Sequence, residues 1–452
     1  GMSQVSQSVY PEDALENESY PMQTYRRFAA SGGALYPNEL YMYLKVEGLP
    51  DGVYHYDPAH HRLELLREGN FDSYIERALD NRCDVSSCFG TAFVSTMFWK
   101  NYFKYNNFAY RLQGLDAGVL MGQLLETAKR FGFASGVYYQ YLDSAINHLL
   151  GLSDQEESAY SIIPLSVEPT NWSTNGREID EDLTAEELKL ELPPIYPENY
   201  ERSRLVKEYP RLIEVNRASM FGSTSLFQKI REQSHEKEYE DPAIKLPKVE
   251  PISYDLAEVC KKRFSPELDF VLGKVSHEQL ATLLQETTAS FTYRNDLDEA
   301  YISNESRVSI YGCFYNVEGV PNGAYFYDST KHELYDINQG DHRLHLQSGL
   351  SLDNVNLLQV PICMHVVGSK DFNKDTLGYR GYRIMQMEAG MLVQRLLITS
   401  SALGMGGHPL LGFDTKLSDE VYKMDSNGKT SLIQIPIGFY RHRPWLKGSL
   451  QS

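Results

Sequence analysis

Several short stretches of this chain carry residue types that bind anions, approach flat ligands or move protons. SGGALYPNE, Ser31 to Glu39, sets a serine hydroxyl and the backbone amides of Gly32 and Gly33 on a glycine turn. Lys104 and Tyr105, adjacent in FKYNNFAYR, can serve as general base and acid where burial draws their pKa values towards neutrality. In GMGGHPLLGFD the amides of Gly406 and Gly407 can approach a planar ligand closely. YRHRPW places Arg441 and Arg443 at strand spacing on one face, two cations suited to a phosphate. Arg263 and Ser265 in KKRFSP, at the end of a helical segment, are a further phosphate or ring contact. Each stretch also has a plainer reading: a structural turn, a surface pair, a helix cap with its loop, a solvated basic tail. The five cysteines form no CxxC pair and no metal-ligand spacing.

The elements that must position these residues occur twice. VEGLPDGVYHYDPAHHRLELLREGN, from Val46, lies over VEGVPNGAYFYDSTKHELYDINQGD, from Val317, at an offset of 271 residues. Gly48, Gly52, Tyr54, Tyr56 and Gly69 meet Gly319, Gly323, Tyr325, Tyr327 and Gly340. Each copy reads as strand, turn, strand with alternating aromatics, and a second turn. YRLQGLDAGVLMGQLLETAKRFGF, from Tyr110, faces YRIMQMEAGMLVQRLLITSSALGM, from Tyr382, at an offset of 272. Both are apolar on nearly all sides and read as buried central helices, with Gly118 and Gly390 allowing close approach. IIPLSVE and QIPIGFY end the copies as short strands. The pattern is a tandem duplication of one α+β unit. The expected division is a first copy over 1–170, a connector over 171–250 and a second copy over 251–452. The connector is rich in Glu, Lys and Pro and reads as surface helices with extended segments, not as a third domain.

The copies are unequal where the chemistry would be. Copy two opens with a helical preamble, YDLAEVCKKRFSPELDF, whereas only about 25 residues precede YRRFAASGG in copy one. SGGALYP faces SNESRV, GMGGHPLLGFD faces GFASGVYYQYL, and the basic FYRHRPW faces SVEPTNW. Lys104-Tyr105 face Thr376-Leu377.

Bulk properties remove some function classes. A net charge of −18 argues against a nucleic-acid partner. No apolar run is long enough for a transmembrane helix. The first 21 residues, GMSQVSQSVYPEDALENESYP, show no secretory pattern, and an odd cysteine count suits reduced thiols; a cytoplasmic location is expected.

Taken together, these motifs resemble the nitroreductase superfamily, and within it the SagB-type dehydrogenases, similar to the flavin-dependent azoline oxidases. SGGALYPNELY, VEGLPDGVYHYDPAHHRLELL, YRLQGLDAG, ALGMGGHPLLGFD and QIPIGFY carry the resemblance. It implies a tandem nitroreductase-like α+β fold: two antiparallel-sheet units with helices, fused as a pseudo-dimer, binding FMN at their junction. Copy two would supply Arg263, Ser265, Gly406, Gly407, Arg441 and Arg443, with His408 as a further donor near the ring. Copy one would supply Ser31, Gly32 and Gly33 to the same flavin. That makes one composite site per chain, and a pseudo-symmetric second site stripped of its binding residues. The preamble departs from the family motif, because Glu267 or Leu268 stands where a second Arg belongs. Lys104 and Tyr105 resemble the Lys-Tyr pair linked to proton removal as hydride passes to flavin. The substrate is a peptide or small molecule: an azoline in a modified peptide, or a quinone or nitroaromatic reduced with NAD(P)H. The rival reading is a flavin-free binding or scaffold subunit of a peptide-modifying complex. Because fusion supplies the dimer interface internally, a monomer is expected.

Overall fold

The repeated glycine-bounded blocks fold into matching hairpins. Gly52–Asp57 pairs with Arg62–Glu68, and Gly323–Asp328 with Glu333–Gln339, each with a register shift at the equivalent place. The aligned tyrosines explain themselves. Tyr54 donates to the Pro50 carbonyl at 2.5 Å and Tyr325 to the Pro321 carbonyl at 2.8 Å, closing each turn. Tyr56 meets His61 and Tyr327 meets His332, both at 2.8 Å. The structure, a computed structural model, describes residues 3–7, 23–169, 182–197, 205–230, 244–289, 292–298, 307–424, 428–442 and 446–449.

Two large sheets share a five-strand antiparallel order. In copy one it runs Glu157–Ser166, Gly90–Met97, Asn38–Leu44, Gly52–Asp57, Arg62–Glu68. In copy two it runs Lys429–Tyr440, Ile362–Ser369, Val308–Phe314, Gly323–Asp328, Glu333–Gln339. The pairing registers also correspond: Gly90 lies opposite Leu165, and Ile362 opposite Ile437, each residue 272 apart from its counterpart. Copy one's sheet is extended by Ala134–Val137, onto which Arg294–Asn295 of copy two adds in parallel. The strands Leu446–Ser449, Ser3–Gln7 and Gln23–Arg27 form a third, small sheet. Within the connector, Ala185–Lys189 and Pro210–Ala218 are helical, and they bury Leu188 and Leu212 in core clusters shared with copy one.

The central helices are Ala109–Arg130 and Tyr379–Ala402. They pack with backbones in direct contact. A Cβ added at Gly118 would collide with the Met387 carbonyl, and one at Gly390 with the Leu115 carbonyl. The apolar cores are shared across the copies: Ala117 and Met121 pack with Ile384, Met387 and Met391. Buried charge locks the arrangement. Arg380 pairs with Asp143 and donates to the Ser219 carbonyl at 2.9 Å; Arg383 reaches the same carboxylate at 3.3 Å. Arg82 pairs with Asp296 at 3.0 Å, and Asp296 also accepts the Tyr139 and Gln140 amides. Among the described residues no helix is long and apolar enough to cross a membrane.

Gly118→Val should therefore lower stability by about 1–3 kcal/mol or more, the usual range for forcing volume into a packed core. Thermal melts should show the loss, while Gly222→Ala, where a Cβ would meet nothing within 4 Å, should melt like the parent. Equal melting of both variants would contradict the helix contact.

Candidate functional site

The segment entering the Ser31 turn lies on copy two. Phe28 is buried with Val259, Cys260 and Ile398 of copy two, and Ala29 and Ala30 pack against the copy-two core. Arg263 follows the Leu256–Lys262 helix and is itself buried; its Nε donates to the Phe28 carbonyl at 3.4 Å. Among the described residues it has no carboxylate partner. Burial, then the charge of Arg26, pushes its pKa down to about 10, while Tyr36 of the SGGALYP stretch acts in the other direction. An unpaired buried cation is costly unless an anion meets it.

The glycine loop packs onto the preamble. A Cβ at Gly406 would collide with Pro266, and one at Gly407 would stand 2.7 Å from Leu397. Gly406–Gly407 pairs with the Lys429–Tyr440 strand opposite Gly438 and Ile437. Ser265, next to Pro266, is half-buried. Arg441 is exposed and its amide donates to the Asp269 carbonyl at 2.9 Å, tying the strand end to the preamble. Arg443 lies outside the described residues. His408 is half-buried, and burial followed by Arg26 pushes its pKa down to about 4, so its ring is neutral near pH 7. Its Nε2 faces the Asn354 amide nitrogen at 3.4 Å, and its Nδ1 is buried without a partner. If Asn354 donates to Nε2, the ring proton sits on Nδ1 as an unused donor.

The Ser31 turn differs from the sequence expectation in one respect. Its serine hydroxyl and first glycine amide are not free. Ser31 donates to Asp116 at 2.6 Å, and the Gly32 amide donates to the same carboxyl at 3.0 Å. The Tyr36 amide donates in turn to the Ser31 oxygen at 2.9 Å. The reason is that Asp116, buried on the central helix, has no cationic partner among the described residues and needs donors. Burial pushes its pKa up to about 7, opposed by Ser31 and Gly32. Its counterpart Glu388 has a different partner, Arg307, which also binds Asp298 at 2.5 Å.

Lys104 and Tyr105 stand on this turn. Gly33 has φ 64°, and a Cβ there would collide with the Tyr105 hydroxyl and lie 3.1 Å from the Lys104 ammonium. The expectation that burial tunes the pair does not hold for the lysine, because Lys104 is exposed. The structure thus groups Ser31, Gly32, Gly33, Lys104 and Tyr105 on copy one, and Arg263, Ser265, Gly406, Gly407, His408 and Arg441 on copy two. Arg26, electrostatically coupled to both Arg263 and His408, links the two groups.

Sequence reasoning missed Arg26 and Asp116. Thr24-Tyr25-Arg26 recurs as Thr292-Tyr293-Arg294, but at an offset of 268, which hides it from the main repeat. It also missed a copy-one cluster in which Glu39 is buried beside His55, at 3.1 Å, and Lys100. Burial, then the charge of Glu39, pushes neighbouring Glu157 up to about 7. The equivalent positions in copy two are Ser309, Phe326, Phe372 and Lys429.

A cavity of about 670 Å³ lies elsewhere, lined by Ala134, Ser135, Glu168 and Pro169 of copy one with Tyr293 and Arg294 of copy two. These are the counterparts of Gly406, Gly407, Tyr440, Arg441, Tyr25 and Arg26. The cavity is lined by repeat-related counterparts of residues at the junction where Arg263, Gly406 and Arg441 lie.

No family model matches the chain. A crystal structure named as a nitroreductase from Anabaena variabilis aligns over 94% of this chain and 84% of its own, at TM-score 0.73 and 20% identity. The chain has the nitroreductase fold. The trifolitoxin-processing protein TfxB of Rhizobium leguminosarum bv. trifolii is 31% identical over 145 residues, 30% of this chain. The chain spans 38% of that relative's length. The Escherichia coli microcin synthetase McbBCD complex, with truncated pro-MccB17 bound, aligns over 32% of this chain and 56% of that one, at 23% identity and TM-score 0.29.

The residues present fit a phosphorylated flavin. Among the described residues Arg263 is a buried cation without a carboxylate partner and His408 Nδ1 is a buried polar atom without a partner, whereas Gly406 and Gly407, expected to face a ring, are themselves buried against Pro266 and Leu397.

Asp116 yields a pH prediction. Its native pKa lies above the unfolded value of about 4, so the native state holds a proton that the unfolded chain has lost. Stability therefore falls as pH rises from about 4 to about 7, with Glu157 contributing in the same direction. Asp116→Asn should make the decline of Tm over that window shallower, by roughly half if the two acids contribute equally. An unchanged slope would contradict the assignment.

Proposed function

We propose that this protein is an FMN-dependent oxidoreductase with a single composite flavin site between its two copies, divided near residues 170 and 250. Arg263, Ser265, Gly406, Gly407, His408, Arg441 and Arg443 hold the cofactor from copy two, and Ser31, Gly32 and Gly33 close over it from copy one. Bound flavin supplies hydride transfer; the chain supplies orientation and proton handling. The observation that carries this reading is Arg263: a buried cation at the junction of the copies that, among the described residues, has no carboxylate partner and feels the charge of Arg26. Two guanidinium groups that repel one another electrostatically would both gain from a phosphate, through charge-assisted hydrogen bonds. Lys104 and Tyr105, on the far side of the Gly33 turn, move the substrate proton. The partial likeness to a trifolitoxin-processing protein supports a peptide substrate, for which we propose an azoline in a modified peptide, with quinone or nitroaromatic reduction by NAD(P)H as the small-molecule counterpart. The protein works as a cytoplasmic monomer.

One observation favours a second reading, a flavin-free scaffold subunit of a peptide-modifying complex. Asp116 occupies the Ser31 hydroxyl and the Gly32 amide, which a flavin would otherwise use. FMN titration followed by flavin fluorescence separates the two. Saturable quenching is expected in the parent chain, weakened about ten- to hundredfold in Arg263→Ala and less in Arg263→Lys. No quenching in correctly folded parent protein would overturn the flavin reading and favour the scaffold. Lys104→Ala should keep flavin affinity while slowing single-turnover reduction or oxidation about a hundredfold or more. Light scattering should give the mass of one chain.

A further inference from the structure

We propose that the uncovered face and outer edge of the copy-one sheet dock a strand–helix segment of a partner polypeptide, one that carries an acidic residue opposite Arg62. Copy two shows what this part of the scaffold holds. There Ile244–Lys245 adds antiparallel to the outer edge of Glu333–Gln339, with Ile244 opposite Leu334 and Lys245 opposite Glu333. The Leu246 amide donates to the His332 carbonyl at 3.2 Å, and His332 Nε2 donates to the Pro247 carbonyl at 3.2 Å. The helix His277–Thr288 then brings Leu280, Leu283 and Leu284 into one core with Val317, Val320 and Leu334.

Copy one keeps the cradle without the occupant. Among the described residues no strand pairs with the outer edge of Arg62–Glu68, and no copy-one helix corresponds to His277–Thr288. His61 has the left-handed backbone of its counterpart His332, φ 53° against 56°, and the same contact to a tyrosine hydroxyl, yet it is exposed. Leu63 is 39% exposed where its counterpart Leu334 is fully buried, and Leu49 is 41% exposed where Val320 is 6%. Leu65, next along the same face, is exposed as well. Charges on an edge strand guard against unwanted pairing, and Arg62 and Glu64 serve that end. The leucines beside them do not: apolar side chains next to an unpaired strand edge are what strand addition uses.

The charges select the partner. Glu333 faces Lys245 at 3.9 Å, whereas the equivalent copy-one position is Arg62, held within its own hairpin by Asp57 at 3.2 Å and Glu64 at 2.5 Å. A second copy of this chain would bring Lys245 against Arg62, like charge opposite like, which disfavours pairing. An acid in that place would pair. Glu318, which binds Lys274 at 3.2 Å, has an acid as its counterpart, Glu47, so a base at the helix entry still fits. The occupant therefore has an apolar–acidic–apolar–proline strand and a base ahead of an amphipathic helix. No flavin contact is involved, so the test stands apart from the flavin reading.

The probe is a fluorescein-labelled peptide copying residues 244–288 with Lys245→Glu, titrated against the full-length chain by fluorescence anisotropy. It should bind saturably, and the unsubstituted peptide should bind about three- to tenfold more weakly, as expected when an exposed attraction becomes a repulsion. Arg62→Glu should reverse that order; should it misfold by thermal melt, Arg62→Gln should level the two peptides. Leu63→Asp should weaken both peptides about tenfold or more, with Leu49→Asp as the alternative if that variant misfolds. No binding to the parent, binding indifferent to the leucine changes, or a preference that Arg62 does not govern overturns the proposal. A dimer of chains in light scattering that Leu63→Asp dissolves assigns the face to a second copy and overturns it as well.

Discussion

The central helices meet backbone to backbone at Gly118 and Gly390, and the placement of everything else depends on that contact. Where a side chain would normally hold two helices apart, two glycines let the Met387 and Leu115 carbonyls sit where their Cβ atoms would be. Each residue then lies near its own counterpart: Gly114 beside Gln386, Gly118 beside Gly390, Gly122 beside Gln394. The two helices run in the same direction around an axis lying between them. An isologous interface has been built inside one chain. Asp143 with Arg380 and Arg383, and Arg82 with Asp296, then fix the copies by buried pairs whose loss would strand a charge.

Much of this was legible from the residues. The long repeats at offsets 271 and 272 gave the two sheets their matching strand order, because glycines and tyrosines at hairpin corners are required locally. Gly118 and Gly390 could be read as a close approach because they fall at equivalent points of two apolar helices. The partnership of Asp116 with Ser31 could not be read. It joins residues on a helix and a turn far apart in sequence, and nothing in YRLQGLDAG says which face of the helix meets the turn. Arg26 was hidden by a shift in the spacing of the repeat. The exposure of Lys104 was equally invisible, since a Lys-Tyr pair looks the same on a short surface helix as in a cleft.

The equivalent acids of the two central helices show how one scaffold position can serve two chemistries. Glu388 is neutralised by Arg307, so its charge is compensated and its segment is held by an ion pair. Among the described residues Asp116 meets a hydroxyl and an amide, which stabilise a carboxylate less than a guanidinium does. Burial then wins, and the group changes protonation near neutrality. The turn at Ser31 is therefore held by a latch whose hydrogen-bond character changes with its proton, whereas Glu388 meets a guanidinium that keeps its charge.

The internal axis also changes what a mutation means. In an assembly of two identical chains every substitution enters twice, once on each side of the axis, and a gain at one site must be tolerated at the other. Here Gly406 and Ala134 occupy equivalent positions but are encoded separately. Each can drift under its own constraint, and the pairing of the halves does not weaken on dilution because one chain holds both. Fusion has released the two faces from having to be copies of one another.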